Sequence, residues 1–249
     1  MFKIGFSTGA LAKGDIAHGI EMARELGLAI IELSALRLRE MDTLVNVVAA
    51  QDFADFEYVA LHAPASFDPS DEKAVVDTFA ALAHSNRWPV IVHPDTISNF
   101  ELWRPFESLL YVENMDKRKP RGRTVEELED IFTYVPNAQM CFDIAHAKQV
   151  DSSMTEAFRI LRNFRDRIRH LHISEVGSDS RHRQVSDGAF RAYNEVASSI
   201  PCDLPAVLES VVSESEAPLA DASSELKRVT EFLAHAAHVQ SSVRTPVSS

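Results

Sequence analysis

Five residues with metal-binding side chains, His62, His93, Glu113, Asp143 and Glu209, end short β-rich runs, Val-Ala-Leu-His, Val-Ile-Val-His, Leu-Tyr-Val-Glu, Met-Cys-Phe-Asp and Ala-Val-Leu-Glu, and a sixth, His172 in Arg-His-Leu-His, completes the pattern. A carboxylate at the end of a buried run is costly unless a cation or hydrogen-bond donors compensate its charge. For a single carboxylate an arginine partner or a helix cap would suffice. For Glu113, Asp143 and Glu209 together, one shared divalent cation is the simpler answer. Mixed imidazole and carboxylate donors suit zinc, manganese, iron or cobalt, whereas oxygen-only donors favour magnesium or calcium. The residue types leave zinc, manganese and magnesium open.

The remaining histidines divide by context. His18, His84, His235 and His238 fall on helical stretches and read as surface or core residues. His170 lies two residues before His172, hence on the same face of a strand and one layer deeper, and reads as core or support for the ligand.

Around these residues, eight β-rich runs alternate with amphipathic stretches: Lys3 to Phe6, Ala29 to Leu33, Tyr58 to His62, Val90 to His93, Leu109 to Asn114, Gln139 to Asp143, Ile168 to Ser174 and Pro205 to Glu209. Helical spacing is clearest at Ile16 to Leu26, Leu38 to Ala50, Ala74 to His84, Thr124 to Phe132, Met154 to Phe164, Phe190 to Ile200 and Leu226 to Val239. Thr124 with Glu127 reads as a capping box. Trp103-Arg104-Pro105 interrupts the stretch from Thr96 to Glu107, so the fourth helical connection is expected to be abbreviated. Helical crossovers return the chain in the same direction and force parallel pairing. Eight units predict a single α/β domain, a (β/α)8 TIM barrel over residues 1–239, with 240–249 a disordered C-terminal tail. The carboxyl ends of such strands meet at one mouth, which would bring the six ligands together.

The chain has 249 residues and a net charge of -12. The length suits one barrel, and the acidic surface disfavours broad nucleic-acid binding unless cations are concentrated on one face. No apolar run approaches the roughly 18 residues of a membrane span, and the first residues lack a secretory apolar core. A cytoplasmic protein is expected, with Cys141 and Cys202 reduced. Lys117-Arg118-Lys119-Pro120-Arg121-Gly122-Arg123 carries five cations in seven residues after Glu113. It is either a solvated loop or an attractor for a small anionic substrate, with Lys117 and Arg121 as candidate contacts.

From Lys3 to about Glu209 the chain resembles the xylose isomerase-like barrels, which include endonuclease IV and the ketose 3-epimerases. Glu113, Asp143, His172 and Glu209 fall on the positions that hold the metal common to both branches. His62, His93, His146 and His182 resemble the additional metal ligands of endonuclease IV, His146 within Asp143-Ile-Ala-His146 and His182 within an Arg-His loop. That enzyme has aspartate two residues before the loop histidine, where this chain has Ser180. By resemblance to the epimerases, His146, Arg181 or Arg183, and Glu175 would contact substrate, although that branch normally lacks histidines at positions 62 and 93.

The expected activity is therefore that of a divalent-metal-dependent isomerase or epimerase on a small sugar or sugar phosphate. Glu113 and Glu209 would be its catalytic residues, moving a proton through an enediolate. A metal-dependent abasic-site phosphodiesterase and a metal-binding barrel without catalysis are the alternatives. A homo-oligomer is compatible with either.

Overall fold

The computed structural model describes residues 3–201 and 203–244, so Cys202 and positions 245–249 of the expected tail lie outside the described residues. Eight parallel strands close into a barrel: β1 (Lys3–Ser7), β2 (Ile30–Ser34), β3 (Tyr58–His62), β4 (Val90–Val92), β5 (Leu110–Glu113), β6 (Gln139–Asp143), β7 (Ile168–Ile173) and, after an antiparallel pair β8 (Glu175–Val176) and β9 (His182–Arg183), β10 (Pro205–Leu208). Pairing of β1 with both β2 and β10 seals the cylinder. This is the expected (β/α)8 TIM barrel.

Strand alternation divides the apolar residues into two cores. On β3, Val59 and Leu61 point outward into the large cluster shared with the surrounding helices, whereas Ala60 belongs to a small separate cluster with Ile91, Cys141, Tyr58 and Tyr111 inside the barrel. The period of two places His62 on the same inward face as Tyr58 and Ala60. The same alternation puts Cys141 and Asp143 inward on β6, and His170 and His172 inward on β7. Their registers, Cys141 opposite His170 and Asp143 opposite His172, create two stacked polar layers.

The fourth connection is abbreviated as expected. It comprises a single turn at Pro94–Thr96, the four-residue helix Phe100–Trp103 and the tight turns of Arg104–Leu109. Glu72, buried at the start of the preceding helix, replaces the missing helical packing. Its carboxylate accepts from the backbone N–H groups of Ser98 and Asn99 and from the Trp103 indole at 2.9 Å.

Several element boundaries differ from the sequence reading. The last helix runs from Pro218 to Arg244, so residues 240–244 of the expected tail are helical; extending a formed helix costs no new nucleation. The helix expected at Phe190 to Ile200 is Asp187–Asn194 followed by a turn at Ala197–Ser199. Two helices too short to show a 3.6-residue period, Thr8–Ala12 and Ile144–Val150, went unread. Their caps are the ends of strands: Ser7 accepts from Ala10 N–H, and Asp143 accepts from His146 N–H. The Thr124 box is half formed. Thr124 caps Glu127 N–H, but Glu127 turns its carboxylate to the backbone and guanidinium of Arg123.

Candidate metal centre

The mouth of the barrel gathers all eight residues expected as ligands. Glu113, at the end of β5, is the hub. One carboxylate oxygen lies 3.2 Å from His62 Nε2 and 3.4 Å from His93 Nε2, and the other lies 3.1 Å from His146 Nδ1 and 3.4 Å from His172 Nδ1. Glu209, just past β10, approaches His172 Nδ1 at 3.5 Å and His182 Nδ1 at 3.4 Å. Ligand atoms of Glu113, Asp143, His172 and Glu209 all lie within 4.8 Å of one another. The same separation holds within His62, Glu113 and His172, and within Asp143, His146 and His182.

Three of the four atoms facing the centre of the quartet have no hydrogen-bond partner: Glu113 Oε1, Asp143 Oδ2 and His172 Nδ1. Each belongs to a fully buried residue whose other polar contacts fix its orientation. Asp143 spends Oδ1 on the helix cap at His146 N–H, 2.7 Å away, which leaves Oδ2 turned to the mouth. His62 directs Nδ1 to the Ala63 carbonyl at 2.7 Å, so Nε2 faces Glu113. Buried acceptors converging without donors are what a bound divalent cation would satisfy, and the donor set of carboxylates with one imidazole fits zinc, manganese or magnesium.

Charges in the mouth shift strongly. Burial opposes protonation of the imidazoles, but Glu113, accepting from His62 Nε2, pushes His62 up to about 9, and Asp143, with Glu113 and Glu209 close by, pushes His146 up to about 10. Burial wins at His182, which falls to about 4 beside His146. Burial, with Glu113 and Glu209 close by, lifts Asp143 to about 6 against the pull of His146. Protons therefore reside on imidazoles at the positions a cation would otherwise neutralise.

Over residues 100–229 the sequence matches the family model of the xylose isomerase-like TIM barrels, more than half of the chain. The chain belongs to that family. No curated protein sequence matches it. Among solved structures, this xylose isomerase-like barrel is similar to L-ribulose 3-epimerase, with a TM-score of 0.65 and 14% identity over 100% of both chains. It is similar to 3-keto-D-glucoside 4-epimerase from E. coli, with a TM-score of 0.62 and 13% identity, covering 93% of this chain and 100% of that one. It is also similar to endonuclease IV from Thermus thermophilus, with a TM-score of 0.60 and 19% identity, covering 94% of this chain and 99% of that one. At these identities the likeness is one of fold.

Apart from His146, the residues expected to bind substrate lie around this xylose isomerase-like mouth rather than in it. Arg121 reaches away, donating to the Ile97 carbonyl and stacking over Phe100 at 5.2 Å. Of the other loop cations, Lys119 pairs with Asp95 at 3.0 Å and Arg118 donates to the Asp179 carbonyl at 2.7 Å. Most of the basic run is thus committed to holding the loop in place. Lys117 is exposed, and its backbone N–H donates to Gln149. Glu175 accepts from Ser186 N–H at 2.8 Å and meets Lys148 at 3.5 Å, so it anchors the loop that carries His182. Arg183 pairs with Asp179, and Arg181 is four-fifths exposed. Both arginines nevertheless line a cavity of about 700 Å³ together with Lys13, Ser180, His182 and Glu214. Its size and its wall at His182 suit a ligand as large as a sugar.

Two residues that organise the mouth escaped the sequence reading. Asn114 brackets Asp143, its amide donating to the Asp143 carbonyl and its side-chain oxygen accepting from the Asp143 N–H. Glu32, fully buried in the middle of β2, lies 3.0 Å from His172 Nε2 and 3.2 Å from His170 Nε2. Burial alone would raise the Glu32 carboxyl, but His172 and His170 hold it well below the usual carboxylate range. The alternation Ile30-Ile31-Glu32-Leu33-Ser34 carries its signal: a lone acid amid a β-rich apolar run, in phase with the inward face.

Proposed function

We propose that this barrel is a divalent-metal-dependent isomerase or epimerase of a small hydroxy-carbonyl compound of the sugar or sugar-phosphate class. The observation that carries the reading is the approach of two carboxylates from different strands, Glu113 and Glu209, to one imidazole nitrogen of His172 at 3.4 and 3.5 Å. Glu113, Asp143, His172 and Glu209 would hold the cation. When bound, it supplies Lewis-acid polarisation of a carbonyl and of the hydroxyl beside it. A substrate carbon between the two glutamates could lose its proton to one and recover it from the other, which is the requirement for moving a carbonyl or inverting a stereocentre. His182, at the boundary with the large cavity, is placed to orient hydroxyl groups, and exposed Arg181 is placed to meet an anionic end.

The test is exchange of the carbon-bound proton with solvent deuterium across a panel of ketoses and their phosphates. The wild type is expected to exchange at least one of them. Glu113→Gln is expected to abolish that exchange with an unchanged far-UV spectrum, and retained exchange would remove Glu113 from the role.

A second reading has its own support. His62 and His93 both face Glu113 Oε2, and Asp143, His146 and His182 form a further ligand group, so this mouth offers more donors than one cation requires. That surplus suits a multinuclear phosphodiesterase. Ser180 and the net charge of -12 weigh against it. Cleavage of abasic duplex DNA together with about three zinc ions per chain would establish this reading in place of the first; one ion per chain and no cleavage would leave the isomerase.

A further inference from the structure

We propose that Glu32 is a positioning residue that sets the tautomer and ring orientation of His172, and with them the strength with which the quartet holds its cation. The inference rests on the metal-centre reading above and adds a residue that touches none of the quartet's inward-facing atoms.

Its basis is a continuous polar chain through the interior of the barrel, beneath the mouth. An ionised carboxylate only accepts hydrogen bonds. His172 therefore presents Nε2–H to Glu32 at 3.0 Å, which leaves Nδ1 as the nitrogen whose lone pair a cation would take. That nitrogen faces Glu113 and Glu209 and makes no hydrogen bond. The opposite tautomer would place the Nε2 lone pair against a buried carboxylate and aim an N–H at the quartet centre, where it would exclude the cation. One layer down, His170 Nε2 lies 3.2 Å from the same Glu32 oxygen, and His170 Nδ1 meets the Tyr58 hydroxyl at 2.9 Å. His170 Nε2 makes no hydrogen bond at that approach, while its Nδ1 shares one with the Tyr58 hydroxyl, which ties the lower layer to the strand that carries His62. All four side chains are anchored on barrel strands, β2, β3 and β7, which gives the carboxylate no room to swing away.

A carboxylate behind a ligating imidazole fixes the ring and raises its basicity, and its loss commonly weakens metal affinity 10–100-fold. The probe is the metal alone. Zinc and manganese dissociation constants of the full chain would be measured by chelator competition for the wild type, Glu32→Gln and Tyr58→Phe. Glu32→Gln keeps an acceptor oxygen but removes the negative charge behind the His172 imidazole, so it is expected to weaken binding 10–100-fold. Tyr58→Phe, one link further away, is expected to weaken it less than Glu32→Gln. A residue that only fills space would lower the unfolding midpoint of the chelator-treated protein and leave the dissociation constant within threefold of wild type, and that result would overturn the proposal. Should Glu32→Gln fail to fold, long-range 15N spectra of the zinc-loaded wild type decide the question. His172 is expected to carry its proton on Nε2 with Nδ1 shifted by the metal, and the reverse assignment would overturn it. Failure of the wild type to bind any cation would instead remove the metal-centre reading, so the two failures are distinguishable.

Discussion

Asn114 grips the backbone of Asp143 at both polar atoms, donating to its carbonyl and accepting from its N–H at 2.8 Å each. The two residues stand on neighbouring strands at the mouth, and Asn114 is wholly buried. Replacing it by alanine strands a buried N–H and C=O. Asn114→Ala is expected to cost about 2–4 kcal/mol in urea unfolding and to lower metal affinity by displacing Asp143. A stability within 0.5 kcal/mol of wild type, which is about the scatter of surface substitutions, would show that the pair merely coexists.

The pH dependence of the metal-free protein follows from its imidazoles. His62 at about 9 and His146 at about 10 both exceed the ordinary 6.5, so the folded chain keeps protons that the unfolded chain releases. Their stabilisation is complete below pH 6.5 and declines as pH rises toward 9 to 10. In the presence of chelator, stability is expected to fall by on the order of 5 kcal/mol from pH 6.5 to 9. Urea midpoints across that range would check it, and a flat profile would contradict the charge arrangement.

Ser180 adopts a left-handed conformation with φ of 58°, which aspartate tolerates better than most residues. Among the described residues its hydroxyl accepts a hydrogen bond from Gln149 alone, at 3.5 Å. Ser180→Asp supplies a carboxylate two residues before His182 and is expected to add one zinc per chain to the wild-type content. Elemental analysis after dialysis reads the outcome, and an unchanged count would mean that the loop cannot bring position 180 to the His146 and His182 side.

At Gly5 a Cβ would lie 2.0 Å from the carbonyl oxygen of Ile30, where β1 packs beside β2. Backbone cannot yield as a side-chain tip can, so Gly5→Ala is expected to destabilise by about 3 kcal/mol, or roughly 6–12 °C in Tm. A thermal shift under 2 °C would show that β1 moves aside cheaply.

The barrel and the convergence of its candidate ligands were legible because both rest on local rules. Each of His62, Glu113 and Asp143 ends a β-rich run, and the count of runs forces the closed topology. The residues that were missed act through partners remote in sequence. Glu32 meets His172 from 140 positions away, and one acid in one strand carries no mark of that contact. Arg121 read as an anion contact because a charge run reveals its sign and not its direction; stacking on Phe100 and a carbonyl at Ile97 decided the direction. Thr8–Ala12 and Ile144–Val150 were invisible because five to seven residues complete too few turns for a periodic pattern.

The candidate ligands and their supports arrive on β2, β3, β5, β6, β7, β9, the short helix Ile144–Val150 and the segments just past β4, β5 and β10, so no half of the cylinder carries a full set. On the metal-centre reading, partially assembled chains would have little grip on a cation, and tight capture would signal that the last seam, β1 against β10, has been stitched. A cation added during refolding should accordingly act late, slowing escape from the finished protein while leaving the speed of collapse unaltered.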